Sequence, residues 1–366
     1  MIFRMSQVQA SPSPPPPYRV TQSQIAKAAG VSRVTVTYAL RDNPKLAAAT
    51  RERIQKLARE MGYAPDPMLA SLAYYRTRRR PAGFHGILAW LAQEHPEKGA
   101  DWWRESPHYN DYFLGAEQRA KYHGYKLETF HFNASGMPLR RIESILCSRG
   151  ISGLLLCPLA FPGVDLEFAW DRFSVVTFGY TLHRPRLHTV ATAHFQNTQH
   201  AMERLRARGF RRIGLTINRT TDTRANAAVS SAFLGGQNIG FNEDGVLIPP
   251  HFYNGPFHPY PCADYVRELA GYIRAQRLDA ILTGDSQSVD LLREACAASP
   301  RKPLVGGVSF SRICPGIAGI ADDSFRIGTT AVDLVVAMIQ RSERGIPEVA
   351  VRSHVEGIWH DGVAVK

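Results

Sequence analysis

Residues 20–41, VTQSQIAKAAGVSRVTVTYALR, leave little freedom of fold. Thr21 stands three residues before Gln24, the capping-box spacing that starts a helix. Ile25, Ala26 and Ala29 give that helix an apolar face, and Gly30 supplies a turn at which a Cβ would clash. Ser32 is placed to cap a second helix, in which Val36, Ala39 and Leu40 recur at helical spacing. Arg33, Val34, Thr37 and Tyr38 are then left on the outward side. Two short helices about so tight a turn have the layout of a helix-turn-helix, whose second helix enters a DNA major groove. An ordinary helical hairpin is the plainer arrangement with the same pattern.

The next residues favour the first reading. The stretch 50–65, TRERIQKLAREMGYAP, predicts a third helix with Ile54, Leu57, Ala58 and Met61 on one face and Gly62 as its stop. Asp66 and Pro67, an N-cap and a first-turn proline, open a fourth short helix through Leu69 and Leu72. This region resembles the LacI/GalR family of bacterial transcription regulators. The match is carried by Val20-Thr21, Ile25-Ala26, Ala29-Gly30-Val31-Ser32, Thr35-Val36, Leu40, Thr50-Arg51-Glu52, Gly62-Tyr63, Pro65 and Leu72.

The resemblance implies that Arg33, Val34 and Tyr38 read bases, whereas Thr21, Ser32, Thr35 and Thr50 position the DNA backbone. An arginine at 33 can grip guanine O6 and N7 with two hydrogen bonds, and Val34 suits a thymine methyl. The fourth helix corresponds to the family's hinge element, with Leu69 and Leu72 wedging into the minor groove. The sequence departs from the family pattern at Asp66, where Asn is usual, at Leu69-Ala70, where Ala-Arg is usual, and at Ala47, where relatives carry a capping Ser. Asn43 and Thr50 are the candidates for the missing cap.

Charge agrees with a nucleic-acid partner. The chain carries a formal net charge of +12, and residues 18–80 hold 13 Lys and Arg against 4 Asp and Glu. A basic segment of this size attracts phosphates and predicts binding that weakens steeply with salt. The run Arg76, Arg78, Arg79, Arg80 reads alternatively as a charged linker.

The 366 residues leave room for a large core behind the head. The expected organisation is a Pro-rich disordered tail (1–17), a helix-turn-helix domain (18–65), a hinge helix and linker (66–82) and a core (83–366). No apolar run reads as a signal peptide or membrane span. The five cysteines, at 147, 157, 262, 296 and 314, lack metal-ligand spacing, which fits reduced residues of a cytoplasmic protein. No metal or cofactor is expected.

From Gly83 onward apolar runs alternate with amphipathic helices. Strands are predicted at 85–92, 125–132, 153–159, 173–180, 211–217, 278–284 and 303–310. Helices are predicted at about 111–123, 138–149, 195–208, 224–236, 263–276, 286–297 and 325–343. Such alternation means parallel, doubly wound sheets. The expected fold is therefore a small all-α helix-turn-helix head plus an α/β two-lobed core, periplasmic-binding-protein-like on the family resemblance. Supporting residues in the core are Gly209-Phe210-Arg211-Arg212-Ile213, Gly319-Ile320, Ile327-Gly328, Ala331-Val332, Gly345-Ile346-Pro347 and Gly357-Ile358-Trp359.

The resemblance places a small-molecule effector, carbohydrate-like, in a cleft between the lobes. Arg224 falls where relatives carry an effector-gripping arginine. Asp285 follows the strand LDAILTG, at the end where parallel sheets collect binding groups. Tyr109, Tyr112 and Phe113 offer aromatic faces for a ring. Each has a plainer role: a surface ion pair for Arg224, a helix cap for Asp285, core filling for the aromatics. Where relatives usually show an aspartate near 190, this chain has Ala193 followed by His194. Residues 93–108 read as an insertion, with Trp102 and Trp103 as cleft lid or surface staples.

Enzyme signatures such as GxSxG, HExxH and GxxxxGK[ST] are missing. Asp322-Asp323, the adjacent carboxylate pair, is weakly suited to acid/base work because sequence neighbours point apart. A transport solute-binding protein shares the core fold but not the basic head. The reading is a sequence-specific regulator, a repressor by family habit. It forms a homodimer on a pseudo-palindromic double-stranded DNA operator and has no membrane partner. The alternative is an effector-independent regulator with a degenerate pocket.

Overall fold

Ile25, Val36 and Ile54, one from each of three helices, are fully buried at the centre of the first of two units, which meet in the chain after residue 81. The computed structural model describes residues 20–40, 46–63, 85–133, 137–238, 246–254, 262–285, 288–311 and 316–362. Tail residues 1–17 and the hinge segment with Leu69 and Leu72 lie outside the described residues.

The head consists of α1 (Gln22–Ala29), α2 (Arg33–Leu40) and α3 (Ala48–Glu60). Thr21 and Gln24 make both halves of the capping box that starts α1, and Gly30 ends it in the left-handed region at φ 65°. Ser32 Oγ accepts the Thr35 backbone N–H at 3.1 Å, opening α2. Side chains then lock the helices together. Arg53 donates to the Ala29 carbonyl from both terminal nitrogens at 3.3 Å, and Gln55 donates to the Ala39 carbonyl at 2.9 Å. Among the described residues no side chain caps α3, which Ala47 precedes without a side-chain cap bond. Thr50 is already the third helical residue, and Asn43 lies outside the described residues.

The second unit has two six-stranded sheets. The first lobe contains β1 (Gly86–Gln93), β2 (Tyr125–Phe132), β3 (Gly153–Leu156), β5 (Ser174–Phe178), β7 (His188–Thr192) and β13 (Arg352–Val355). They lie in the order β13-β7-β5-β3-β1-β2, every neighbouring pair parallel. A two-stranded ribbon, β4 (Val164–Asp165) with β6 (Leu182–Arg184), is separate from this sheet. The second lobe contains β8 (Ile213–Asn218), β9 (His251–Tyr253), β10 (Ala280–Thr283), β11 (Leu304–Phe310), β12 (Ala318–Ala321) and β14 (Ile358–His360). Its order is β14-β12-β11-β10-β8-β9, with β14 antiparallel. Central strands such as GILAWLAQ are apolar without alternation because helices cover both sheet faces.

The helices of this unit are α4 (Trp102–Glu105), α5 (Pro107–Tyr122), α6 (Leu139–Ser148), α7 (His194–Ala207), α8 (Arg219–Arg224), α9 (Ala228–Asn238), α10 (Cys262–Ala275), α11 (Val289–Ala297) and α12 (Ser324–Arg341). The helix expected at 224–236 begins instead at Ala228 as α9, because α8 ends at Arg224 and Asn226 and Ala227 take positive φ of 58° and 56°. Trp102 and Trp103 are not surface staples. Both are buried in the first lobe, Trp103 completely. Their rings pack on neighbours there, Trp103 against Trp90 and Trp102 against Tyr109.

The chain passes between lobes three times: from β7 into α7, from β12 into α12, and from β13 into β14. Asn197 binds these crossings together. Its Nδ2 donates to Asp322 Oδ1 at 3.0 Å, and its Oδ1 accepts the Gly357 N–H at 3.0 Å. Helices α5 and α12 cross through Gly115 and Gly328. A Cβ on Gly115 would collide with the Phe325 carbonyl, and one on Gly328 with the Tyr112 carbonyl. That close crossing fixes the first turns of α5, from which several cleft residues project.

Candidate functional site

On the head, the three expected base readers stand clear of its core. Arg33 is exposed, Val34 is 59% exposed and Tyr38 40%. Thr37, expected outward as well, is half-buried instead. Its hydroxyl donates to the Arg33 carbonyl at 3.0 Å and lies 3.0 Å from Gln22 Oε1, and so pins α2 to α1. Thr21 and Ser32 are exposed caps. Ser32 Oγ also lies 2.8 Å from Thr35 Oγ1, and Thr50 is half-buried in the first turn of α3. These hydroxyls sit at helix starts, where backbone N–H groups and the helix dipole favour phosphate.

In the second unit, a cavity of about 680 Å³ lies between the lobes. Four of the five expected effector residues line it: Tyr109, Tyr112, Arg224 and Asp285. Phe113 does not. One residue past Tyr112 the helix has turned about 100°, and the ring packs against Trp90 and Trp103 at centroid distances of 5.4 and 5.1 Å. Tyr112 stacks on Phe178 at 5.3 Å. Trp102 lines the cavity and holds its indole N–H on the Gln93 carbonyl at 2.7 Å.

Arg224 projects from the end of α8 across to the first lobe. Its Nε and Nη2 donate to the Tyr109 hydroxyl at 3.1 and 2.7 Å, while Nη1 and Nη2 reach the Ala160 and Leu159 carbonyls at 3.0 and 2.9 Å. The guanidinium therefore joins the lobes. Asp285, at the carboxyl end of β10, accepts from the Tyr253 hydroxyl at 3.0 Å. That contact and the buried Tyr253 ring hold Asp285 at the second-lobe wall.

The floor carries residues that sequence reasoning did not assign. Asp322 is buried at the second crossing and accepts from Ser309 Oγ at 2.6 Å, Asn197 Nδ2 at 3.0 Å and Thr192 Oγ1 at 3.4 Å. His108, from the first turn of α5, brings Nδ1 to 3.7 Å from Asp322 Oδ2 and to 3.2 Å from Ser324 Oγ. His194 Nδ1 lies 3.2 Å from Ser309 Oγ. Burial pushes the Asp322 carboxyl up to about 7, against the opposing pull of its hydrogen bonds, and holds both imidazoles down to about 4. Asp323 plays a different part, capping α12 and pairing with Arg326 at 3.0 Å. Asp322 ends an apolar strand just as Asp285 does. The same strand-end rule would have found it, had GIAGIA been read as a strand.

Among the described residues, no group of His, Cys, Asp and Glu is placed to hold a metal, and no helix is long and apolar enough to cross a membrane.

A helix-turn-helix head is thus followed in the chain by two six-stranded lobes with a cleft between them. Residues 21–66 match the family described as bacterial regulatory proteins, lacI family. Over that segment the chain is similar to the LacI family. The HTH-type transcriptional regulator PtxS of Pseudomonas plecoglossicida is 26% identical over 196 residues, 53% of each chain, so that about half of PtxS is matched. The HTH-type transcriptional repressor CytR of Escherichia coli strain K12 is 48% identical over 48 residues, 13% of this chain and 14% of CytR. A solved complex of the transcriptional regulator CelR with cellobiose covers 93% of this chain and 98% of its own, with a TM-score of 0.51 at 18% identity. That likeness bears on the fold. The curated relatives are named as regulators, not as enzymes.

Proposed function

We propose that the chain is a sequence-specific DNA-binding transcriptional regulator, acting as a repressor, with a small effector bound between its lobes. The carrying observation is the outer face of α2, where Arg33, Val34 and Tyr38 stand exposed on a head whose other large apolar residues, among those described, are packed. Arg33 supplies guanine recognition, while Thr21, Ser32, Thr35 and Thr50 hold phosphates. Leu69 and Leu72, outside the described residues, are assigned to the minor-groove wedge. Two copies would place two heads on the half-sites of a pseudo-palindromic operator, in the cytoplasm where bacterial DNA lies.

The cleft combines aromatic faces of Trp102, Tyr109 and Tyr112 with the polar groups of Arg224 and Asp285, a lining suited to a hydroxylated ring such as a sugar. Opening or closing of the lobes would couple effector to operator, at the 1–3 kcal/mol typical of such linkage, or about 5–150-fold in affinity. A second reading is favoured by one contact: Arg224 is already held by Tyr109 and two carbonyls, as an effector-independent regulator would keep it. Fluorescence anisotropy of the full chain on its selected operator, with a panel of neutral sugars, sugar acids and nucleobases, separates the two. A compound that moves the affinity supports the gated regulator, and a panel without effect supports the second reading.

A further inference from the structure

We propose that the cleft floor is a proton-binding site: the carboxyl of Asp322, faced by His108 from the first lobe and by His194 at the crossing, takes up a proton that ties the lobes together and releases it as the cleft opens to water.

The geometry carries this in three parts. Asp322 lies at the hinge itself. Its own backbone forms the second crossing, Thr192 ends the strand before the first, and Asn197 links it to Gly357 on the third. Its carboxyl opens onto the cavity, as do His108, His194, Thr192 and Ser309, so water in the cavity gives the proton a route. Finally, His108 belongs to the opposite lobe, and its Nδ1 is 3.7 Å from Oδ2. That gap is slightly longer than a hydrogen bond and one that a small closure would make.

The surrounding groups determine what ionisation does. Helix α5 presents His108 and Tyr112, β7 presents Thr192, α7 presents His194 and Asn197, and β11 presents Ser309. On its own connection, Asp323 is paired with Arg326 and Ser324 is bonded to His108. His354 lies near enough to influence His194. Arg224 lines the same cavity but is held by Tyr109 and the carbonyls of Leu159 and Ala160. Burial keeps both floor imidazoles neutral near pH 7. A protonated Asp322 therefore offers Oδ2–H to the Nδ1 lone pair of a neutral His108, which draws the lobes together. An ionised Asp322 keeps its bonds from Ser309, Asn197 and Thr192 but has no proton to offer His108, so the bond that closes the lobes is lost and opening lets water hydrate the buried carboxylate.

This inference rests on the cleft reading above, but its test needs neither effector nor DNA. Donor and acceptor fluorophores would be placed on keto amino acids at exposed Lys126 of the first lobe and Asp290 of the second, in the full chain. The expected result is a fall in transfer efficiency as pH rises from about 6 to 8, with its midpoint near the Asp322 value of about 7. In Asp322→Asn, which mimics the neutral acid in shape and in having a donor, the efficiency stays at the low-pH level throughout. In His108→Gln, which keeps an acceptor on α5, the transition remains. A flat trace in the parent chain overturns the proposal, as does a transition that survives Asp322→Asn. Loss of the transition in His108→Gln alone would assign the proton to the imidazole and overturn it too. Failure to select an operator would sink the regulator reading and leave this result unaffected.

Discussion

Arg224 and Tyr109 meet across the cleft, with two guanidinium nitrogens on one phenol oxygen at 3.1 and 2.7 Å. The same guanidinium satisfies the carbonyls of Leu159 and Ala160, in the connection that follows β3. Hydrogen bonds from a charged donor contribute about 1.5–3 kcal/mol each at the upper end, and an orphaned buried acceptor costs a similar amount. Arg224→Ala should therefore destabilise the second unit by about 2–3 kcal/mol in urea unfolding, and Tyr109→Phe by about 1 kcal/mol. An Arg224→Ala protein as stable as the parent would show that the contact does not hold the lobes.

Base recognition is separable from phosphate attraction. Arg33→Ala should lose about 1–3 kcal/mol of discrimination at one base pair of each half-site, with the salt dependence largely retained. Competition binding with operator variants measures this. Intact discrimination would mean that another residue of α2 reads that position.

Glycine in a helix interior is normally worse than alanine by about 1 kcal/mol. Gly328 reverses the sign, because a Cβ there meets the Tyr112 carbonyl where α5 and α12 cross. Gly328→Ala should thus destabilise the second unit by about 1–3 kcal/mol, the usual cost of overpacking. The head transition should be unaffected in thermal unfolding. A stabilised variant would mean that the helices separate without cost.

Stability should carry opposed pH signatures at the cleft floor. The folded value of Asp322 is raised, from 3.8 to about 7. Its contribution is present in full below about pH 4 and is lost as pH rises through about 7. His108 and His194 are depressed from 6.5 to about 4, so theirs is present above about pH 6.5 and lost as pH falls through about 4. The parent chain's stability relative to Asp322→Asn should decline from pH 4 to pH 7, whereas relative to His108→Gln it should decline from pH 6.5 to pH 4. Denaturant unfolding across that range checks both signs.

The head was legible almost residue by residue because local rules govern it. The Thr21–Gln24 box, the Gly30 turn and the buried faces of α1 to α3 are interactions within one or two helical turns. In the core, the central predicted strands are found because they are buried on both faces and read as unbroken apolar runs, whereas β2 is a half-buried edge strand. What escaped were short elements whose character comes from their neighbours. Strand β12 is the four residues Ala318–Ala321, and β13, RSHV, is a polar edge strand paired with β7. Missing β12 also hid Asp322, since a strand end marks a binding position only once the strand is known. Tyr112 and Phe113 show the other limit. Adjacent aromatics on α5 are equivalent in composition, and helix rotation sends one to the cleft and the other to the core.

A head that reads DNA sequence through α2 can be examined by selecting bound duplexes from a random pool with the full chain, at low and at physiological salt. The expected result is enrichment of a pseudo-palindrome whose half-sites are centred about one helical turn apart, with a guanine at the position Arg33 reaches. Binding without any enriched motif, or a motif unchanged by Arg33→Ala, would contradict it.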